Sequence, residues 1–442
     1  MEQVKKIKVA MVCNMSNPMV RSHLPLDDGR YYNQIRKLLR MKPKKEGSND
    51  IAMWNTFFAG EFGKRDDIEL TIISVHSSLK KLKVSFKESN VNYVFLNHQW
   101  ANLIKRIVNN RERWVKLNPF SKIVKREIKR VDPDLVLLMG LENSYYSGTV
   151  LGLTEYPVYA LCQTVYNNPD RKLYGAVNQD NAYTEMLLFN ELRYIGVFCK
   201  MHYDLVRQLS PQSYILKFGG FPTRAELLKP VEICKEYDFV NFAMSMSLGK
   251  GYQDSIKALA IVKNKYPEVK LNLVGMCSAE TKSELLKLIE TLGLKENVFL
   301  TPFFDNQNDL FTHIQKSRFA VLPCKMDNVS GTMTQAMQLN LPIVVYKTAG
   351  TPSLNNNKTC ALIAEKDNYE QLAHHMISLM DDSRLAETLR KNARDEQEKK
   401  YERDMCIAGD LLLNFRAIVD NFRNGTLIPQ GQLFNPESDR KK

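Results

Sequence analysis

The chain has 442 residues, enough for two or three domains at roughly 150 residues each. With 44% hydrophobic and 25% charged residues, it is excluded from the intrinsically disordered class, and no apolar run approaches the roughly 18 residues of a membrane-spanning helix. The net charge is +13, and it is local rather than spread evenly.

A strand is predicted over 7–13, with no apolar leader ahead of it, so a cytoplasmic protein is expected. A polar, irregular segment follows, and within it residues 35–45 carry six basic residues and no acid. A helix over 51–62 and a strand over 69–75 come next. Residues 101–130 then hold ten basic residues against Glu112 and Glu127, interleaved with Leu103, Ile107, Trp114, Phe120 and Ile123. Three readings compete for this charge. They are solvated amphipathic helices, a face resting on an anionic membrane surface, and nucleic-acid binding. The last ranks lowest, because no recognition-helix, RNP or zinc-finger signature accompanies the charge.

Strands over 134–139, 157–161, 195–199 and 213–216 continue the series. A break at 217–237, with the turn residues Gly219-Gly220-Phe221-Pro222, reads as a linker. Alternation then restarts, with strands at 239–244, 270–274, 298–300, 319–323, 343–346 and 361–363 and helices at 253–266, 278–292, 309–316, 332–339 and 369–380. A single long helical stretch over 383–422 closes the pattern, and the tail from Arg423 is expected to be loose. Two consecutive α/β units with parallel sheets follow, each with its ligand expected at the carboxyl ends of the strands.

The eight cysteines lie far apart without a CxxC pair and read as buried free thiols. The seven histidines show no metal-ligand spacing, so no metal site is expected. Asp132-Pro133-Asp134 has a D-x-D form but sits at the entrance of a strand, the wrong end for a cleft, and reads as a turn. The informative stretch is Asp327-Asn-Val-Ser330-Gly331-Thr332-Met-Thr-Gln335-Ala-Met. A strand ends, a small-residue loop follows and a helix begins. Free backbone N–H groups and the positive end of a helix dipole there would accept phosphate oxygens, although Ser-Gly-Thr before a helix is also an ordinary N-cap.

The order of Lys250-Gly251, Leu273-Val-Gly275, the strand over 319–323, Gln335-Ala-Met and Pro342-Ile-Val-Val resembles the retaining glycosyltransferases of family 4. Thr348-Ala-Gly350-Thr-Pro352 looks like that family's glycine loop. The resemblance runs from about Phe239 to Arg403 and is only topological over residues 1–220. It implies a GT-B fold, with two doubly wound Rossmann-like domains facing across a cleft: 1–220 on the acceptor side, 236–400 binding a nucleotide-sugar, and a helix over 401–424 crossing back.

Residue by residue, the resemblance places Asp327 and Gln335 at the family's paired glutamates, facing the donor sugar and the ribose hydroxyls. Lys250 matches a lysine on the donor diphosphate, and Ser245 stands where an arginine would. Ser330, Gly331 and Thr332 would supply amides to the phosphate. On the acceptor side, Asn14-Met-Ser16-Asn17-Pro18 lacks the family's glycine, and no histidine is read near the strand ends. Gly140-Leu-Glu142-Asn143 and Gln163-Thr164 could line the cleft.

The function implied is transfer of a sugar, with retention, from a UDP- or GDP-sugar to a lipid-linked or polysaccharide acceptor, without a metal or other cofactor. The basic N-terminal stretches add an expectation of peripheral attachment to the inner face of an anionic membrane. The alternative is a catalytically inactive GT-B scaffold acting as a binding module, a reading favoured by Ser245 and Gln335.

Overall fold

The computed structural model describes residues 6–26, 51–98, 118–174, 177–222, 227–304, 306–326 and 329–437. The basic stretch at 35–45, most of the one at 101–130, and Asp327 lie outside the described residues. Two compact units emerge. One gathers the described residues within Met1–Asn168, Val177–Ala225 and Asp404–Arg440, and the other those within Pro169–Ala176 and Glu226–Arg403.

The first unit is laid down by β1 (Ile7–Cys13), α1 (Pro18–His23), α2 (Met53–Gly63), β2 (Ile68–Val75), β3 (Lys83–Glu88), β4 (Val91–Leu96), α3 (Pro119–Val131), β5 (Leu135–Met139) and β6 (Val158–Leu161). After α4 (Pro169–Tyr174), it continues with α5 (Gln179–Glu191), β7 (Tyr194–Val197), α6 (Lys200–Leu209) and β8 (Tyr214–Lys217). The eight strands form one sheet in the order β3-β4-β2-β1-β5-β6-β7-β8. All neighbours are parallel except β3 against β4.

Both faces of this sheet are covered, so its central strands read as continuous apolar runs. Along β1, Val9, Met11 and Cys13 enter one core while Ala10 and Val12 enter the other, as the two-residue repeat of a strand requires. The antiparallel β3–β4 pair was not among the predicted strands. Its two-residue turn, Ser89-Asn90, has positive φ at both positions (48° and 63°), the backbone that joins tight hairpins.

The second unit holds β9 (Tyr237–Ser245), α7 (Tyr252–Lys263), β10 (Leu271–Met276), α8 (Ala279–Thr291), β11 (Val298–Thr301), α9 (Gln307–Ile314) and β12 (Ser317–Leu322). It continues with α10 (Gly331–Gln338), β13 (Ile343–Tyr346), β14 (Ala361–Ala364), α11 (Tyr369–Asp381) and α12 (Ser383–Asp404). Its six strands are all parallel, in the order β11-β10-β9-β12-β13-β14. The short helix α4 belongs to this unit although the chain on either side of it belongs to the first.

The closing helical stretch is two helices rather than one, because α12 ends at Asp404 and α13 (Ile407–Asn424) begins three residues later. The apolar face of α13 enters the first unit's core through Leu411, Phe415 and Ile418. Asn414 Nδ2 donates to Lys217 O at 2.9 Å and Tyr194 Oη donates to Asn421 Oδ1 at 2.5 Å. The tail is seated rather than loose. Leu433 bridges to Leu216, Phe434 N donates to Ile215 O at 2.9 Å, and the Phe434 ring is buried.

The cysteines are free, but burial is not general. Cys13, Cys162, Cys324 and Cys360 are buried, whereas Cys234 and Cys406 are exposed. Among the described residues no helix is long and apolar enough to cross a membrane.

Candidate functional site at the strand ends

In the second unit the chain leaves β9 through Met246 and Ser247 into a single 3₁₀ turn, Leu248–Lys250, and α7 starts immediately after Gly251. Gly251 has φ 68°, and a Cβ at this position would collide with the carbonyl oxygen of Pro323. Only glycine satisfies both constraints. The close approach places Lys250 against the end of β12, where its Nζ lies 3.6 Å from Cys324 Sγ. Cys324 Sγ in turn contacts Gly249 O at 3.4 Å, and Lys325 N donates to the same carbonyl at 2.9 Å.

Lys325 is buried, yet it is an ammonium held between two carboxylates, with Asp254 Oδ2 at 2.6 Å and Asp367 Oδ1 at 2.7 Å. Burial opposes its charge, but the hydrogen bonds and fields of the two aspartates outweigh that and raise its pKa. Burial likewise opposes the charge on Asp367, and Lys325 together with the Tyr174 hydroxyl, 2.6 Å away, holds its carboxyl below the usual range. The network fastens α4, the start of α7, the β12 end and the loop after β14 to one point. Nothing in the sequence pattern around Lys325 announces it, because its partners lie 71 residues before and 42 residues after it.

Lys325 itself lies in the loop from β12 into α10. Ser330 caps α10, its Oγ accepting from Met333 N at 3.4 Å and lying 2.8 Å from Thr332 Oγ1. Ser330 is buried, Gly331 exposed, and Thr332 and Gln335 half-buried. On the neighbouring strand, the loop after β13 is pinned by buried Thr351, whose Oγ1 donates to Tyr346 O and accepts from Thr348 N, both at 2.8 Å.

Ser245, the last residue of β9, is exposed and opens onto a cavity of about 510 Å³. That cavity is shared with Ser247, Ser278, Thr281, Leu173 and Tyr174. Lys250, Ser330, Thr332 and Gln335 are not among its lining residues, so the predicted donor-side residues fall into two neighbourhoods on one sheet edge.

In the first unit, the carboxyl ends of the strands carry a cluster that sequence reading missed. His76 directly follows β2 and His98 lies two residues beyond β4, so the edge is not free of histidine. The His98 ring stacks on Tyr145 with centroids 5.3 Å apart, and Tyr145 Oη accepts from Asn14 Nδ2 at 3.0 Å. Burial, helped by the field of His76, holds the His98 imidazole down to about 4, and burial with the field of Arg21 lowers His76.

Glu142 is buried beside Asn143, whose Nδ2 donates to it at 3.2 Å and to Tyr146 Oη at 2.9 Å. Glu185, fully buried on α5, accepts from Tyr166 N and Asn167 N at 2.9 Å each. The Asp132-Pro133-Asp134 segment lies at the opposite edge, as a turn should. There Asp132 ends α3 in the left-handed region and Asp134 pairs with Arg423 at 2.7 Å.

Against known proteins, residues 224–396 match the family model "Glycosyl transferases group 1". An uncharacterized glycosyltransferase of Haemophilus influenzae is 26% identical over 137 residues, covering 31% of this chain and 37% of the relative. The poly(glycerol-phosphate) alpha-glucosyltransferase of Bacillus subtilis is 29% identical over 150 residues, covering 34% of this chain and 21% of the relative. The matched stretch therefore spans well under half of either relative.

Among solved structures, sucrose-phosphate synthase from Thermosynechococcus elongatus superposes with a TM-score of 0.67 at 12% identity, covering 93% of this chain and 98% of its own. Anabaena HepE in complex with UDP and glucose gives 0.61 at 13%, covering 92% and 98%. Crystalline TarM gives 0.54 at 16%, covering 67% and 57%. The chain thus has the GT-B fold, and the glycosyl transferases group 1 family model matches it over 224–396, under half of its length.

Proposed function

We propose that this protein is a retaining glycosyltransferase of family 4 that moves a sugar from a nucleotide diphosphate donor to a polysaccharide or lipid-linked acceptor. The observation that carries the reading is the seating of Lys250. Gly251 fits only as glycine, and the backbone N–H of buried Lys325 bonds the carbonyl of Gly249, the residue before Lys250, so one ammonium is fixed at the end of β12 where the loop toward α10 begins. A fixed cation together with helix-start amides stabilises charge that develops on a departing diphosphate. HepE, a protein of the same fold, was crystallised with UDP and glucose, which supports UDP as the first nucleotide to try.

In this reading Lys250 and the amides of Gly331 and Thr332 hold the diphosphate. Gln335 hydrogen-bonds the ribose as a neutral amide, and Asp327 faces the donor sugar. The acceptor hydroxyl attacks from the face the leaving phosphate vacates, and that phosphate takes its proton, which retains configuration. Ser245 leaves the diphosphate with one cation fewer than the family pattern supplies. The acceptor lies along the first unit's strand ends, near Asn14, His98 and Glu142.

Incubation with UDP- and GDP-sugars and detection of released nucleotide tests the activity. Release that depends on an added glycan or lipid-linked acceptor supports it. Tight nucleotide binding with no turnover on any donor would instead favour the inactive scaffold to which Ser245 and Gln335 point.

A further inference from the structure

The loop ahead of β3 presents a leucine to solvent among lysines. Leu82 is 75% exposed, and Lys80 and Lys81 beside it are exposed as well. A lone exposed leucine means little, but the backbone here is pinned. Lys80 N donates to Pro25 O at 2.9 Å, Asn97 N donates to Leu82 O at 3.0 Å, and Asn97 Nδ2 donates to Leu79 O at 2.5 Å. Leu79 itself is buried and bridges to Leu26. The loop therefore holds Leu82 outward and cannot fold it away without breaking these bonds.

A second basic element stands beside the loop. Buried Glu127 of α3 binds Lys83 at 2.5 Å and Arg130 at 2.6 Å, which ties β3 to this helix. On the same helix Lys122 and Arg126 are exposed and make no ion pair with any described residue. Because Lys83 pairs with Leu96 in the antiparallel ladder, Leu82 sits at the strand ends that also carry His76 and His98. The charged loop and the acceptor-side edge share one end of the sheet.

We infer that Lys80, Lys81 and Leu82, with Lys122 and Arg126, form a docking surface for an anionic lipid bilayer, in which Leu82 inserts among the headgroups. Each lysine or arginine near such a surface strengthens binding roughly fivefold, and an apolar tip adds area that a soluble polyanion could not bury. The inference rests on the proposed function only in giving the docked edge an acceptor to meet. Lipid binding is measured independently of turnover.

Full-length protein is sedimented with phosphatidylcholine vesicles with and without phosphatidylglycerol, and nucleotide binding is followed in parallel with UDP. Binding to the anionic vesicles should fall at least about tenfold for Lys80→Glu/Lys81→Glu and for Lys122→Glu/Arg126→Glu. It should fall several-fold for Leu82→Ser, a change on an exposed side chain that leaves folding intact, and added salt should weaken it. The control Lys287→Glu/Lys295→Glu, on the second unit, should have no effect. Equal binding to neutral vesicles, or no loss in the Lys80/Lys81 and Leu82 variants, would overturn the inference. So would binding to soluble polyphosphate as tight as to vesicles and indifferent to Leu82→Ser, which would assign the patch to an anionic polymer. Loss of UDP binding with vesicle binding intact would count against the proposed donor site and leave the docking surface standing.

Discussion

Lys325 and Asp254 form a buried ion pair, Nζ to Oδ2 at 2.6 Å with side chains 7% and 9% exposed, directly beneath the turn that carries Lys250. The backbone of Lys325 bonds Gly249 while its side chain grips the first turn of α7. One residue therefore fixes both ends of the Lys250 turn.

Removing one partner should be costly, because the other carboxylate or ammonium is left buried and unpaired. Lys325→Met is expected to destabilise the protein by roughly 3–5 kcal/mol, measured by urea unfolding. Adding Asp254→Asn should recover part of that loss, so the double variant falls short of the sum of the singles. Strict additivity would mean that the pair is not coupled.

Gly251 and Gly425 have nearly the same backbone, φ 68° and 70°, but a Cβ at Gly251 meets Pro323 whereas one at Gly425 meets nothing within 4 Å. Gly425→Ala should cost about 1 kcal/mol for the left-handed conformation alone. Gly251→Ala should cost clearly more and also weaken nucleotide binding by displacing Lys250. Equal thermal shifts for the two variants would contradict the packing described at the end of β12.

The first unit should be acid-sensitive. His98 titrates near 4 in the folded protein, because burial and then His76 disfavour its charged form, against 6.5 for a free imidazole. Between these values the unfolded chain binds the proton and the folded one does not. Stability must therefore fall as pH is lowered from about 6.5 toward about 4. Thermal midpoints across this range should show a slope that His98→Gln reduces, and an unchanged slope would place the acid sensitivity elsewhere.

The parts legible in the sequence are those set by local pattern. Val9–Cys13 in β1 and Phe319–Leu322 in β12 are continuous apolar runs because both of their faces are covered, β9 is mostly apolar around Asp238 and Asn241, and Ser330 announced the start of α10 by its capping chemistry. The β3–β4 hairpin was missed because an edge strand need not be apolar. Lys83-Val84-Ser85-Phe86-Lys87 alternates weakly, and Ser89-Asn90 is a less familiar turn signal than Asn-Gly. With the hairpin went His98, whose place at the strand ends follows only once β4 is drawn. The seat of Lys325 and the docking of Phe434 depend on partners far away in the chain, and no short-range pattern encodes them.

Ser245 offers a gain-of-function test. It ends β9 exposed, at the position where the resemblance expects a second cation. Ser245→Arg should tighten UDP binding several-fold by adding a charge near the diphosphate, with a steeper dependence on salt. An unchanged affinity in this variant would separate the cavity beside Ser245 from the donor phosphates.

The central claim is that the second unit grips a pyrophosphate with Lys250 and the opening turn of α10. Titration calorimetry of the intact protein with UDP and GDP, repeated for Lys250→Ala, tests it most directly. Binding of at least one of the two, weakened about tenfold or more by Lys250→Ala through loss of a charge-assisted contact, is the predicted result. No heat from either nucleotide, or the same affinity with and without the ammonium, would contradict it.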